Sequence, residues 1–130
     1  MKQTYFILIT LVLASFFAQA QSNILGETRN WTSFENIDLY SNQTLPDTFL
    51  ITINSTSLTL KNGDMEKNFD LQNIQGAWSN LSEAGQLTFD VPLKDFTGKG
   101  SIQNEAGVLS LIIDFSEKKN WMKRKFIVKN

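Results

Sequence analysis

Apolar and polar side chains alternate with a period of two along most of this chain, the spacing of strands rather than helices. Phe49, Ile51 and Ile53 alternate with Leu50, Thr52 and Asn54, and Leu58 and Leu60 alternate with threonines and Lys61. Leu87, Phe89, Val91 and Leu93 form one side of a strand whose other side is Thr88, Asp90, Pro92 and Lys94. Leu109, Leu111, Ile113 and Phe115 do the same against Ser110, Ile112 and Asp114. One dry and one wet face per strand is the pattern of antiparallel strands over a single core. Residues 31–40, 74–78 and 121–128 complete a set of about eight short strands. Only 22–27 and 35–40 read as short helical pieces.

The punctuation between these runs is turn chemistry. Asn62-Gly63 separates the Leu58 run from 65–71 and predicts a hairpin, because both central residues of the favoured turn need positive φ. Glu83-Ala84-Gly85 and Asn104-Glu105-Ala106-Gly107 precede the Leu87 and Leu109 strands. Gly98 and Gly100 flank Lys99 just before Ile102, which predicts a bulge or sharp bend. Pro92 places its strand at a sheet edge or near a strand end. The expected fold is all-β: an antiparallel meander closed into a small barrel or folded into a β-sandwich, so that its edges are hidden.

The amino terminus changes the picture of where such a domain works. Lys2 is followed by the apolar run FILITLVLASFF from Phe6 to Phe17, and then by Ala18-Gln19-Ala20. Positive charge, apolar stretch and small residues at the exit are the parts of a secretory signal, predicting cleavage after residue 20 and a single domain over 21–130. The apolar run is shorter than the roughly 20 residues that span a bilayer, so no transmembrane segment is expected after cleavage. The expected location is secreted or periplasmic. With no cysteine there is neither a lipid-modified exit residue nor a disulfide, and the core alone must hold the fold.

Charge is nearly balanced overall, with 12 basic and 13 acidic residues. It is unevenly placed: Lys118, Lys119, Lys123, Arg124, Lys125 and Lys129 crowd the carboxyl end, and the body carries all the acids. Basic and aromatic residues interleaved in this way can contact nucleic acid. An acidic body and an exported location argue against that partner, and lysines on an exposed strand are ordinary protection against aggregation. No nucleic-acid partner is expected.

Candidate chemistry is thin. Without histidine or cysteine there is no imidazole base, no thiolate nucleophile and no zinc–thiolate site. Carboxylates remain: Asp64 with Glu66, and Asp90 with Asp114 on neighbouring strands, are the pairs a glycosidase would need. Solvated outward acids are the plainer reading, so the expectation is a protein that is not an enzyme and uses no cofactor or metal. Four N-x-[ST] sequons, at Asn30, Asn42, Asn54 and Asn80, read as incidental.

Trp31, Trp78, Trp121 and Arg124 are the candidate ligand-binding residues. Aromatic residues at strand spacing are core more often than not. Arg124 is unusual because alternation puts it on the Met122, Phe126 and Val128 face, where a guanidinium needs a partner or a stacking ring. A tryptophan near the start of the domain and an arginine near its last strand resemble the lipocalin (calycin) barrels, in which the two pack together. Arg29 stands where that family has glycine two residues before the tryptophan. The chain also resembles short exported bacterial β proteins that end in a glycine-rich bend and a basic strand. The lipocalin resemblance implies an apolar cavity for a small hydrophobic ligand. Two functions are thus expected: a barrel binding a small apolar ligand inside, or a filled domain meeting another exported protein, for instance as an inhibitor. A carboxylate glycosidase is a distant third.

Overall fold

The computed structural model of the chain describes residues 23–116 and 122–129. The proposed signal segment and Trp121 lie outside the described residues. The alternating runs form ten strands: β1 (Arg29–Asp38), β2 (Gln43–Leu45), β3 (Leu50–Ile53), β4 (Ser57–Asn62), β5 (Met65–Asp70), β6 (Gln72–Gln75), β7 (Gly85–Pro92), β8 (Thr97–Glu105), β9 (Val108–Asp114) and β10 (Lys123–Lys129). The 3-10 turn η1 (Ile24–Gly26) precedes them, where a short helical piece is predicted. The second predicted helical piece, 35–40, is instead mostly strand. There Asn36 and Ile37 pair with β2 on one side and β10 on the other, and this ladder overrides local propensity. The predicted 74–78 strand is displaced to β6, because Gly76 turns the chain at φ 124° and sends Trp78 into the following loop.

All pairings are antiparallel, in the order β5-β4-β3-β1-β10-β9-β8-β7-β6, with β2 attached to β1. β5 and β6 stand at the two extremes of this order, yet only Leu71 separates them in sequence. An even number of antiparallel steps joins them, so they point the same way. They act as one kinked strand whose first half bonds to β4 and second half to β7. The sheet therefore curls into a single nearly closed barrel, and the two-sheet sandwich is not what forms.

The dry faces meet inside. Phe49, Ile51, Ile53, Leu58, Leu60, Leu87, Phe89, Val91, Ile102, Leu111, Ile113, Phe126 and Val128 are buried, and Phe49 and Phe126 meet edge to face at 5.3 Å between ring centroids. One end is plugged by η1, whose Ile24 and Leu25 are buried, and by Trp78. The Ile24 amide donates to the Trp78 carbonyl at 2.9 Å, and the Trp78 indole N–H donates to the carbonyls of Asn80 (2.8 Å) and Glu83 (3.1 Å). Phe115 is flanked by Phe69 at 5.6 Å and Phe96 at 6.2 Å in a second aromatic cluster.

Gly98 and Gly100 do not form the predicted bulge; β8 runs in unbroken register with both neighbours. Their role is space. A Cβ at Gly100 would lie 2.1 Å from the Phe89 ring, and one at Gly98 would lie 2.2 Å from the Phe115 ring. The Asn62-Gly63 hairpin does form, but Asn62 still pairs with Met65, so the two loop residues are Gly63 and Asp64. Only Gly63 has positive φ (58°), as in the turn that takes glycine first. Pro92 ends β7, as its missing N–H requires.

Candidate functional site

The outward residues of β6–β9 frame a groove of about 500 Å³ on the outside of the barrel wall. Register fixes its layout. One rung across the strands carries Gln75, Thr88, Ser101 and Ile112; the next carries Asp90, Lys99 and Asp114, with Asn73 beside it. Leu87, Phe89, Ile102, Leu111 and Ile113 are buried on the inner side of β7, β8 and β9, so packed core backs the groove there, while Asn73 and Gln75 come from the largely exposed β6.

The charged rung is internally neutralised. Asp90 accepts from Lys99 Nζ at 2.6 Å through one oxygen and from Asn73 Nδ2 at 2.8 Å through the other. Those hydrogen bonds, Asn73 first and Lys99 second, hold the Asp90 carboxyl below its ordinary 3.8. Partial burial pushes Asp114 up, but hydrogen bonds from Ser116 and the nearby Lys123 charge outweigh it and leave that carboxyl lowered as well. Lys123 Nζ stands 3.7 Å from Asp114 Oδ2. Ions along the rung thus alternate in sign: Asp90, Lys99, Asp114, Lys123.

This answers the carboxylate pairing read from the sequence. β8 intervenes between β7 and β9, so Lys99 stands between Asp90 and Asp114. Both carboxyls are lowered by their hydrogen bonds and neighbouring lysines. Asp64 lies in the hairpin loop, off the strand that carries Glu66. Among the described residues no group of three or more potential metal ligands occurs, and no helix is long and apolar enough to cross a membrane.

The predicted ligand residues are not brought together. Trp31 and Trp78 are buried in the core. Trp31 lies at the end of β1 where Thr32 pairs with Lys129, whereas Arg124 pairs with Asp38 at the other end, so the tryptophan–arginine packing that the resemblance implies does not form. Arg29 is the guanidinium at the tryptophan's end, and its Nε donates to the Ile24 carbonyl at 2.8 Å. Arg124 is half-buried on the inner side, beside Ile113 in the ladder. The groove itself went unread because its signal is an ordinary one: neutral polar residues at the outward positions of three consecutive strands.

A second hollow of about 510 Å³ lies at the barrel rim among Arg29, Asn80, Ser82, Asn104, Gly107 and Lys129. Its Asn104 side chain is already engaged, donating to the Leu81 carbonyl at 3.0 Å and tying the loop down. Inside the barrel, Asn36 is wholly buried with both amide atoms unbonded, as is the Trp31 indole nitrogen. Comparison with protein-family models, curated proteins and solved structures finds no match to this chain.

Proposed function

We propose that this domain is a binding module that recognises its partner on the outside of the barrel wall, at the β6–β9 groove. One observation carries the reading: the barrel interior is occupied by its own large side chains, Phe49, Phe89 and Phe126 at the centre and Trp78 at one end, while the groove lies on the outer face of the most continuous part of the sheet. Pre-formed concave surfaces with a few convergent polar groups are the usual ligand sites of rigid scaffolds. No step in this reading needs an acid, a base or a cofactor. The export reading of residues 1–20 belongs to the same proposal and puts the groove outside the cytoplasm.

A second reading, a small ligand held inside the barrel, is favoured by Asn36 and the Trp31 indole nitrogen, since buried polar atoms left unbonded are costly. A chemically diverse fragment library, screened by amide chemical shifts on the wild type and on Ser101→Arg, separates the two. Hits that move β6–β9 amides and disappear in the variant support the groove. Hits that move Asn36, Leu111 and Phe126 and persist in the variant overturn it in favour of the interior.

A further inference from the structure

We propose that the groove takes a neutral oligosaccharide segment of about three sugar rings, laid across β6–β9 at right angles to the strands. The proposal rests on the groove reading above and names its ligand class.

The chemistry of the two rungs selects this class by elimination and by fit. The ionised groups are consumed by one another, Asp90 by Lys99 and Asn73, Asp114 by Ser116 and Lys123. A phosphate or a carboxylate would find no uncommitted cation, since the groove's single lysine is already bonded to Asp90. A cationic peptide would have to displace Lys99. The neutral rung is different. Gln75, Thr88 and Ser101 on it, and Gln86 one rung further along β7, are exposed or half-buried, and among the described residues none of their side chains is bonded to another protein group. Amides and hydroxyls supply donors and acceptors on the same atoms or on adjacent ones, which is what a ring bearing several hydroxyls can use.

Geometry adds a repeat. Strands lie about 4.8 Å apart, so the step from Gln75 to Thr88 to Ser101 to Ile112 covers about 14 Å, close to the length of three linked pyranoses. Ile112 gives the apolar C–H face of a ring a surface to cover at one end of the row. A peptide strand fits less well. β8 and β9 are paired on both sides, and β7 pairs with β8 throughout and with β6 at Thr88 and Asp90. Only β6 has an open edge, four residues long and broken by the positive φ of Asn73, so the face offers side chains and little template for strand addition.

The experiment is a titration of isotope-labelled protein, residues 21–130, with the trisaccharides of β-1,4-glucan, α-1,4-glucan, β-1,3-glucan, xylan and chitin in turn. The expected result is a set of amide shifts confined to β6–β9 for at least one of them. Ser101→Arg, which fills the groove from the outer face, weakens binding by tenfold or more, and Thr32→Arg on β1 leaves it unchanged. If Ser101→Arg does not fold, Gln75→Ala serves, with a smaller loss. Silence of the groove towards every trisaccharide, while fragments from the first screen still bind there, overturns the saccharide assignment and spares the groove reading. Silence towards both overturns both.

Discussion

The wall from β7 to β10 and the split strand β5–Leu71–β6 are made of the same alternating pattern but differ in how they are held. β8 is bonded along most of its length on both sides, from Gly85↔Asn104 to Pro92↔Thr97 and from Lys99↔Asp114 to Glu105↔Val108. β5 is bonded on one side only, and every one of its residues except Phe69 is exposed. Its outer edge is defended by charge: Glu66 and Asp70 stand on one face, and Lys67 shares the other with buried Leu60. Double-sided bonding is thus concentrated in β8 and β9 behind the groove, while the seam follows the split strand, whose β6 half forms one margin of the groove. A recognition surface benefits from that division, because hydrogen-bonding groups fixed in advance lose little freedom on binding.

The comparison can be broken most forcefully by core truncation. Phe126→Ala, at a fully buried site packed against Phe49, is expected to cost about 4 kcal/mol of unfolding free energy in denaturant titration. Phe69→Ala, on the partly buried inner side of β5, should cost less than half of that. Equal costs would mean that the seam is as tightly packed as the wall.

A finer version uses glycines. Gly100→Ala drives a methyl into the Phe89 ring and should lose about 3 kcal/mol by overpacking. Gly63→Ala, in the open hairpin with nothing within 4 Å of its Cβ, carries only the cost of a left-handed residue, about 1 kcal/mol. Hydrogen exchange should rank the strands in the same order, with β9 amides released only by global unfolding and β5 amides by local opening. Protection of β5 equal to that of β9 would contradict the one-sided bonding.

The smallest effect is electrostatic. Asp90 and Asp114 have carboxyls lowered in the folded state, so their stabilisation is present above the unfolded value near 3.8 and is lost as pH falls through the folded values. Asp90→Asn should flatten part of the stability decline below pH 3.8 and change stability at neutral pH only slightly, because the half-buried Asp90 is paired with a lysine that is largely exposed to solvent. A large loss at pH 7 would show that the rung does more than order the groove.

Much of the fold was readable because burial follows alternation: the inner faces of β3, β4, β7 and β9 are the apolar series seen in the sequence. Hairpin positions were readable too, but their centres were not. The Asn62-Gly63 turn is shifted by one residue, and the loop with both φ values positive is Ala106-Gly107, where alanine sits at 52° with no local sequence signal for it. Gly98 and Gly100 were misread as a bend because a missing side chain in a strand can serve either a kink or a neighbour's ring, and only the partner's position decides. The groove was hidden for a similar reason. Thr88, Ser101 and Ile112 come from three strands, and nothing local tells which outward residues will share a rung.

The pairing of the first strand with the last has a kinetic consequence. Every other ladder along the meander joins segments close in sequence, whereas Thr32 must find Lys129. Until β10 is available, β1 and β9 each present a row of unused backbone groups beside an apolar inner face, the combination that recruits other chains. This ladder joins the paired segments most distant in the chain, and non-local β pairing of this kind is slow, on the scale of milliseconds to seconds. A chain halted before β10 would leave the facing edges of β1 and β9 unpaired, and adding the final strand is what covers them.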